Sequence, residues 1–295
     1  MKYTGMDWVV AIATGLAVAL VFGLMAVIIG QVLWIGLPVI SIDFLTGVPE
    51  SGGRGGIWFS IYGTVMLTLL MTIAVVPVGV ATGIYLSEYA PRRSRLADLI
   101  RGAVTNLAGV PSIVFGLFGV GFFVYFIGRG IDDVFYGEDV HVWGRPAVLW
   151  SALTLAVLTL PVVIVTTEES LRAVPRDLRE AALGLGATRF QSVVSVILPR
   201  ARGGILTGVI LAISRGAGEV APILFTGAVL YVPQLPFDVR DKFMHLGYHV
   251  YALSTQSHNV DAVQPTIFGT VLVLLALTFS LNLTAMIIRA RSRPG

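Results

Sequence analysis

The 295-residue chain is 56% hydrophobic and only 13% charged, with a mean hydropathy of +0.85 and a net charge of +3. Soluble domains carry about 25% charged residues, so this composition excludes a soluble globular protein and points to a polytopic membrane protein. With no cysteine, a disulfide framework, a thiolate metal site and thiol redox chemistry are excluded as well.

Residues 8–40 form a nearly unbroken apolar run, too long for a signal-peptide core, and are expected to be the first spanning helix. Asp43, Pro49, Glu50, Gly52, Gly53, Gly55 and Gly56 then supply turn chemistry. A second span is expected at 61–87 with Pro77 inside, followed by a basic loop of Pro91, Arg92, Arg93 and Arg95. The third is expected at 99–128 with Pro111 inside, and a polar segment with Asp132, Asp133, Glu138 and Asp139 fills 129–145. The fourth covers 146–167 with Pro161 inside. A long basic loop from Glu168 to Arg202 leads into a fifth span at 203–230, which carries Arg215, Glu219 and Pro222. Residues 231–263 read as a polar loop, and a sixth span at 265–288 runs into Arg289, Arg291 and Arg293. Each span is long enough to cross about 30 Å of hydrocarbon at about 1.5 Å per residue.

The expected fold is therefore all-α, with six transmembrane helices. It divides into an N-terminal helix and outer loop (1–60), a five-helix core (61–288) containing a cytoplasmic loop at 172–202, and a basic tail (289–295). Six spans put both termini on one side. That side holds 14 of the 20 basic residues: Lys2, the arginines at 92–101, those at 172–202 and those at 289–293. The other side holds Arg54, Arg129, Arg145, Arg240 and Lys242. The positive-inside rule then makes the termini and the 172–202 loop cytoplasmic. Gly79/Gly83 and Gly204/Gly208 are GxxxG pairs, read as ordinary close helix packing. Pro77, Pro111, Pro161 and Pro222 free backbone groups inside the expected spans, which favours a bundle around a polar cavity.

Arg215 and Glu219 are charges in an apolar run, spaced i,i+4 so that a helix would place them on one face. An arginine near the bilayer centre costs about 2.5–3.5 kcal/mol on insertion scales and normally faces a bundle interior or a water-filled path. One reading is a self-neutralising ion pair that pins packing. The other is an anion station, because guanidinium offers a planar fork suited to phosphate or carboxylate. Glu219 would repel an anion unless it orients Arg215 or accepts a hydrogen bond from an anion that still carries a proton. Protonated phosphate can donate that bond and sulfate cannot.

In the basic loop, Pro175 is expected at the first position of a helix. Leu178, Ala181, Ala182 and Leu185 recur at helical spacing, with Arg176, Arg179 and Glu180 on other faces. Gly184 and Gly186 interrupt. Val193, Val194 and Ile197 mark a second short amphipathic segment ended by Pro199. Helix, glycine turn, helix is the expected result, lying parallel to the membrane. A purely lipid-resting helix accounts for the arginines but not for the glycine break or the small Ala181–Ala182 face, which suits docking into a partner's groove.

Glu180-Ala181-Ala182, Gly186, Val196 and Leu198-Pro199 at their spacing resemble the EAA loop of ABC importer permeases, with Val196 where isoleucine is usual. The wider chain resembles phosphate permeases of the PstA type through Tyr62–Thr64, Tyr85–Ala90, Leu107–Gly116, Leu160-Pro161, Thr166–Glu169 and Arg215–Pro222. Val165 stands where such permeases often have arginine. The resemblance implies a type I importer permease fold. It makes Glu180, Ala181, Ala182, Gly186, Leu198 and Pro199 the residues that couple to an ATPase, and it turns Arg215 and Glu219 toward the phosphate path. It further implies an ATPase dimer of the PstB type, a second permease of the PstC type, an external phosphate-binding protein of the PstS type, and surrounding membrane lipid.

Other chemistries find little support. No Walker A loop is present and the lysines, Lys2 and Lys242, follow no glycine run, so ATP binding is expected on a partner chain, with no cofactor here. Gly184-x-Gly186 lacks the third glycine of a dinucleotide fingerprint. His245 and His249 could ligate a metal if helical, but no clear third ligand accompanies them, and no metal site is expected. No Gly-x-Ser-x-Gly elbow occurs. The arginines at span ends follow from topology and anionic lipid, and no nucleic-acid partner is expected.

Overall fold

The structure is a computed structural model describing residues 5–50, 54–91, 94–137, 141–257 and 259–291. Lys2, Gly52, Gly53, Arg92, Arg93, Glu138, Asp139 and Arg293 lie outside the described residues. Among the described residues, six helices are long and apolar enough to cross a membrane: α1 (Met6–Val39), α3 (Trp58–Tyr89), α5 (Ser112–Phe135), α6 (Val148–Arg172), α8 (Arg189–Gly218) and α11 (Val260–Arg291). Shorter helices lie between them: α2 (Ile42–Thr46), α4 (Arg95–Ala108), α7 (Arg176–Gly184), α9 (Ile223–Thr226) and α10 (Leu246–Gln256). A two-stranded antiparallel ribbon, β1 (Pro49–Glu50) with β2 (Arg54–Gly55), follows α2, so the expected turn region is partly regular.

The bundle is built around α6. Two thirds (67%) of its apolar stretch is buried, against 0% for α1 and α11, which lie at the edge. The glycine pairs explain how α6 is gripped. A Cβ at Gly79 or Gly83 of α3 would fall 2.7 Å from Val163 or 2.6 Å from Thr167. One at Gly204 or Gly208 of α8 would fall 2.1 Å from Ser170 Oγ or 1.7 Å from Thr166 Oγ1. Both pairs therefore let a backbone close onto the same helix on neighbouring faces, which is how spans associate when lipid supplies no hydrophobic drive between them. Around this seam Leu67, Met71, Val75, Leu155, Val163 and Ala212 form the central core. Many hydroxyls within the spans return to their own helix. Thr64, Thr68, Thr154 and Thr159 each donate to the carbonyl four residues back at 2.7–2.8 Å, which satisfies these donors away from water.

Three expectations about the spans need correction. The third does not run through Pro111. Gly109-Val110-Pro111 separates the amphipathic α4, capped by Ser94, from α5, because proline disfavours helical conformation at the residue before it. The fifth begins at Arg189 rather than 203 and ends at Gly218 rather than 230. Pro199 therefore does not end a segment. A widened π turn, Val193–Ile197, precedes it and carries the helix past a residue that lacks an N–H. Pro111 and Pro222 sit at N-caps, so of the four prolines only Pro77 and Pro161 lie within helices.

The third correction concerns 231–263, which is not a polar loop. Phe243, Met244, His245 and Leu246 are all fully buried, and Phe243 N and O pair with Gly227 O and Val229 N. The apolar stretch around α10 is too short to span and packs inward instead. His245 caps α10, its Nδ1 accepting from Gly247 N at 3.1 Å and Tyr248 N at 3.4 Å. Burial pushes the His245 imidazole down to about 3 and His249 to about 4. His249 Nδ1 lies 3.4 Å from Thr270 Oγ1 on α11, so the two rings serve different contacts. Asp132, expected in a polar segment, is buried at the end of α5, where it accepts from Trp143 N at 2.9 Å and Gly144 N at 2.6 Å.

Candidate translocation and docking sites

Arg215 lies in the last turn of α8. Glu219 is one residue beyond the helix, in extended backbone (φ −77°, ψ 132°), so the pair does not share a helix face as the spacing suggested. The cause is local. Gly216 presses on Met71, where a Cβ would meet Sδ at 2.2 Å, and Gly218 and Pro222 then deny the helix good continuing residues. Glu219 still folds back toward Arg215, with Oε1 3.5 Å from Nε. That is an ion pair without a close hydrogen bond. The Arg215 side chain is 42% exposed and Glu219 21%, and no hydrogen bond to the terminal guanidinium nitrogens occurs among the described residues. A span residue in this state turns a charge-bearing fork toward a face this chain does not cover. The neighbouring Ser214 hydroxyl bonds Asn282 of α11, which fixes the helix that presents the guanidinium.

The docking loop is built as a helix–turn–helix. Pro175 is the N-cap of α7 rather than its first helical residue. Gly186 ends it with φ +88°, a left-handed conformation that other residues rarely adopt, and Ala187 N closes back on Ala182 O at 3.1 Å. Thr188 and Gln191 form a capping box that restarts the chain as α8. Glu180 and Ala181 are exposed, whereas Ala182 is buried against the bundle, so the small pair does not form one outward face. The outward apolar groups are Leu185, 90% exposed, with Leu183 and Phe190. Leu198 and Pro199 lie half-buried on α8, continuous with the helix that carries Arg215.

The charges behind this loop were not legible from spacing. Arg179, expected off the apolar face of the helix, turns inward. Its Nε and NH2 fork over Glu88 Oε2 and Oε1 at 3.3 and 3.0 Å, while further N–H groups donate to Leu171 O and Val174 O. Glu168, buried in the last turns of α6, accepts from Arg101 Nε at 3.0 Å and Arg172 at 2.6 Å. Arg101 also donates to Leu86 O at 3.0 Å. A usable signal did exist in the sequence. Glu88 and Glu168 are carboxylates at span C-termini, where the helix dipole disfavours negative charge, so each needs a cation.

A membrane bundle gripped around one central helix, with an ordered helix–turn–helix loop feeding the span that carries an intramembrane arginine, defines a transporter permease. The chain belongs to the family described as the binding-protein-dependent transport system inner membrane component, which matches residues 76–294. It is 33% identical over 284 residues to the probable ABC transporter permease protein YqgI of Bacillus subtilis, covering 90% of each chain. It is 32% identical over 246 residues to the phosphate transport system permease protein PstA 1 of Mycobacterium tuberculosis, covering 83% of this chain and 73% of that one. Its fold matches a bacterial ABC transporter involved in the import of the acidic polysaccharide alginate, with a TM-score of 0.65 at 17% identity over 96% of both chains. The chain is thus a multi-pass ABC importer permease subunit of the type I fold.

Proposed function

We propose that the chain is the permease subunit of an ATP-driven importer of inorganic phosphate. The observation that carries this reading is the Arg215–Glu219 arrangement: a loosely paired, outward-turned guanidinium at the end of the helix that begins in the docking loop. Arg215 meets the anion, and Glu219 orients the guanidinium and accepts a hydrogen bond from the protonated oxygen of phosphate. The PstA name of several relatives supports phosphate as the substrate. A second permease of the PstC type covers the face left open at Arg215. An ATPase dimer of the PstB type receives Glu180, Ala181, Ala182 and Gly186 with the exposed Leu185, while Leu198 and Pro199 carry the motion into α8. An external PstS-type protein delivers phosphate.

The excess of arginine in α7 and at both ends of the 172–202 loop supports a cytoplasmic loop and cytoplasmic termini, on the side where ATP is. ATP is bound by the partner, and this chain performs no catalysis. The 61–288 region forms the working core. The test is ATP hydrolysis and uptake by the reconstituted complex with phosphate, sulfate and molybdate in turn. Phosphate alone should stimulate both; stimulation by sulfate or molybdate and not by phosphate would reassign the substrate.

A further inference from the structure

Arg179 touches three elements at once. It sits on α7, its fork closes on Glu88 in the last turn of α3, and it reaches Leu171 O and Val174 O where α6 ends. Glu88 is 10% exposed at its side chain and Arg179 20%, so the pair is largely shielded from water and salt. We propose that the Glu88–Arg179 pair is the link that transmits displacement of α7 to α3 and α6, making Arg179 a positioning residue for transport. This rests on the docking role of α7 given above.

The rest of the α7 attachment explains why one pair matters. Leu178 packs against the cluster that contains Leu171, Val174, Val193 and Ile197, and Ala182 is buried. Such apolar contact is non-directional and tolerates sliding. Between α7 and the α3–α4 corner lies a cavity of about 740 Å³, bordered by Leu86, Ser87, Glu88, Arg101, Arg179 and Leu183. Across that space the guanidinium fork is a directional contact, and a forked guanidinium–carboxylate pair fixes distance and orientation together. Glu180, the next residue, and Leu183 border the same cavity, while Leu185 is exposed. A push on α7 is therefore received by the same short helix that the fork ties to α3. A semi-buried ion pair adds little stability over an apolar pair of similar size, and Glu88 also opposes the α3 dipole. Its contribution is the fixed geometry.

The experiment measures phosphate moved per ATP hydrolysed, with ATPase co-purification and melting temperature as controls, in the reconstituted complex. R179A should assemble and hydrolyse ATP while the ratio falls about tenfold or more, the scale of a charge-assisted hydrogen bond lost. R179K, a point charge without the fork, should be intermediate. The exchange E88R/R179E should recover part of the ratio lost in either single variant, and remain below native because glutamate cannot donate to Leu171 O and Val174 O. Should R179A fail to assemble, E88Q, which keeps the shape, is read the same way. An unchanged ratio in R179A or E88Q overturns the proposal. So does an exchange no better than the worse single variant, or hydrolysis and uptake that fall together at constant ratio. The docking role is read separately from L185E: native ATPase affinity in that variant would remove the parent reading whatever Arg179 does.

Discussion

The two charged sites of this chain are built in opposite ways. At the loop end, Arg179 forks over Glu88 within 3.3 Å and places two further N–H groups on carbonyls. At the other end of α8, Arg215 meets Glu219 through one 3.5 Å contact and is 42% exposed. A guanidinium whose fork is closed on a carboxylate has little left for a visitor and serves to hold elements in place. One with its fork free is prepared for an anion. The glycine seam around α6 belongs with the first kind of region, because its contacts are as tight as backbone approach allows. Substitutions in the closed region should therefore move stability or coupling, and those in the open region should move transport and selectivity without moving stability.

The largest expected effect breaks the seam. Gly208→Leu places a side chain where Thr166 Oγ1 lies 1.7 Å from the new Cβ, and should destabilise the bundle by about 3 kcal/mol or more. Gly203→Ala, with nothing within 4 Å, should be neutral or stabilise by about 0.4–1 kcal/mol. Thermal melts in detergent check the two side by side. In the open region Glu219→Gln should keep its melting temperature yet lose about tenfold or more of its preference for phosphate over sulfate, read by competitive uptake. Preference unchanged would leave Glu219 a mere orienter of Arg215.

Gly186→Ala tests the turn between the two regions. Forcing a Cβ into φ +88° costs about 1–2 kcal/mol, which should weaken ATPase binding without affecting substrate preference. The smallest effect concerns pH. His245 is held near 3 and His249 near 4, while in the unfolded chain each titrates near 6.5. The unfolded state thus binds more protons between those values, and stability present above pH 6.5 is lost as pH falls, by at most about 1.4 kcal/mol per unit per group. His245→Asn retains a cap acceptor and should roughly halve the slope of melting temperature against pH over that window.

Much of this was legible in sequence because hydrocarbon imposes it. Spans of the required length, the glycine pairs and the helix–glycine–helix loop follow from periodicity and composition alone. What escaped was set by tertiary contact. Residues 243–253 are apolar but too short to cross, and only the pairing of Phe243 with Gly227 and Val229 reveals them as core. Glu219 left its helix because Gly216, Gly218 and Pro222 act together, a local conflict that i,i+4 counting cannot register. Pro199 reads as a terminator in the sequence, whereas a π turn absorbs it in the fold. The inward turn of Arg179 escapes a helical wheel because the wheel does not contain Glu88, 91 positions away.

The central claim is that phosphate passes Arg215 on a helix driven from the docking loop. The most direct measurement is ATP-dependent phosphate uptake by Arg215→Ala in the reconstituted complex, with assembly and melting temperature checked on the same preparation. The account predicts a properly assembled complex whose uptake falls by roughly ten- to a hundredfold, the scale of a charge-assisted hydrogen bond of about 1.5–3 kcal/mol. Uptake at the native rate by that assembled variant would contradict it.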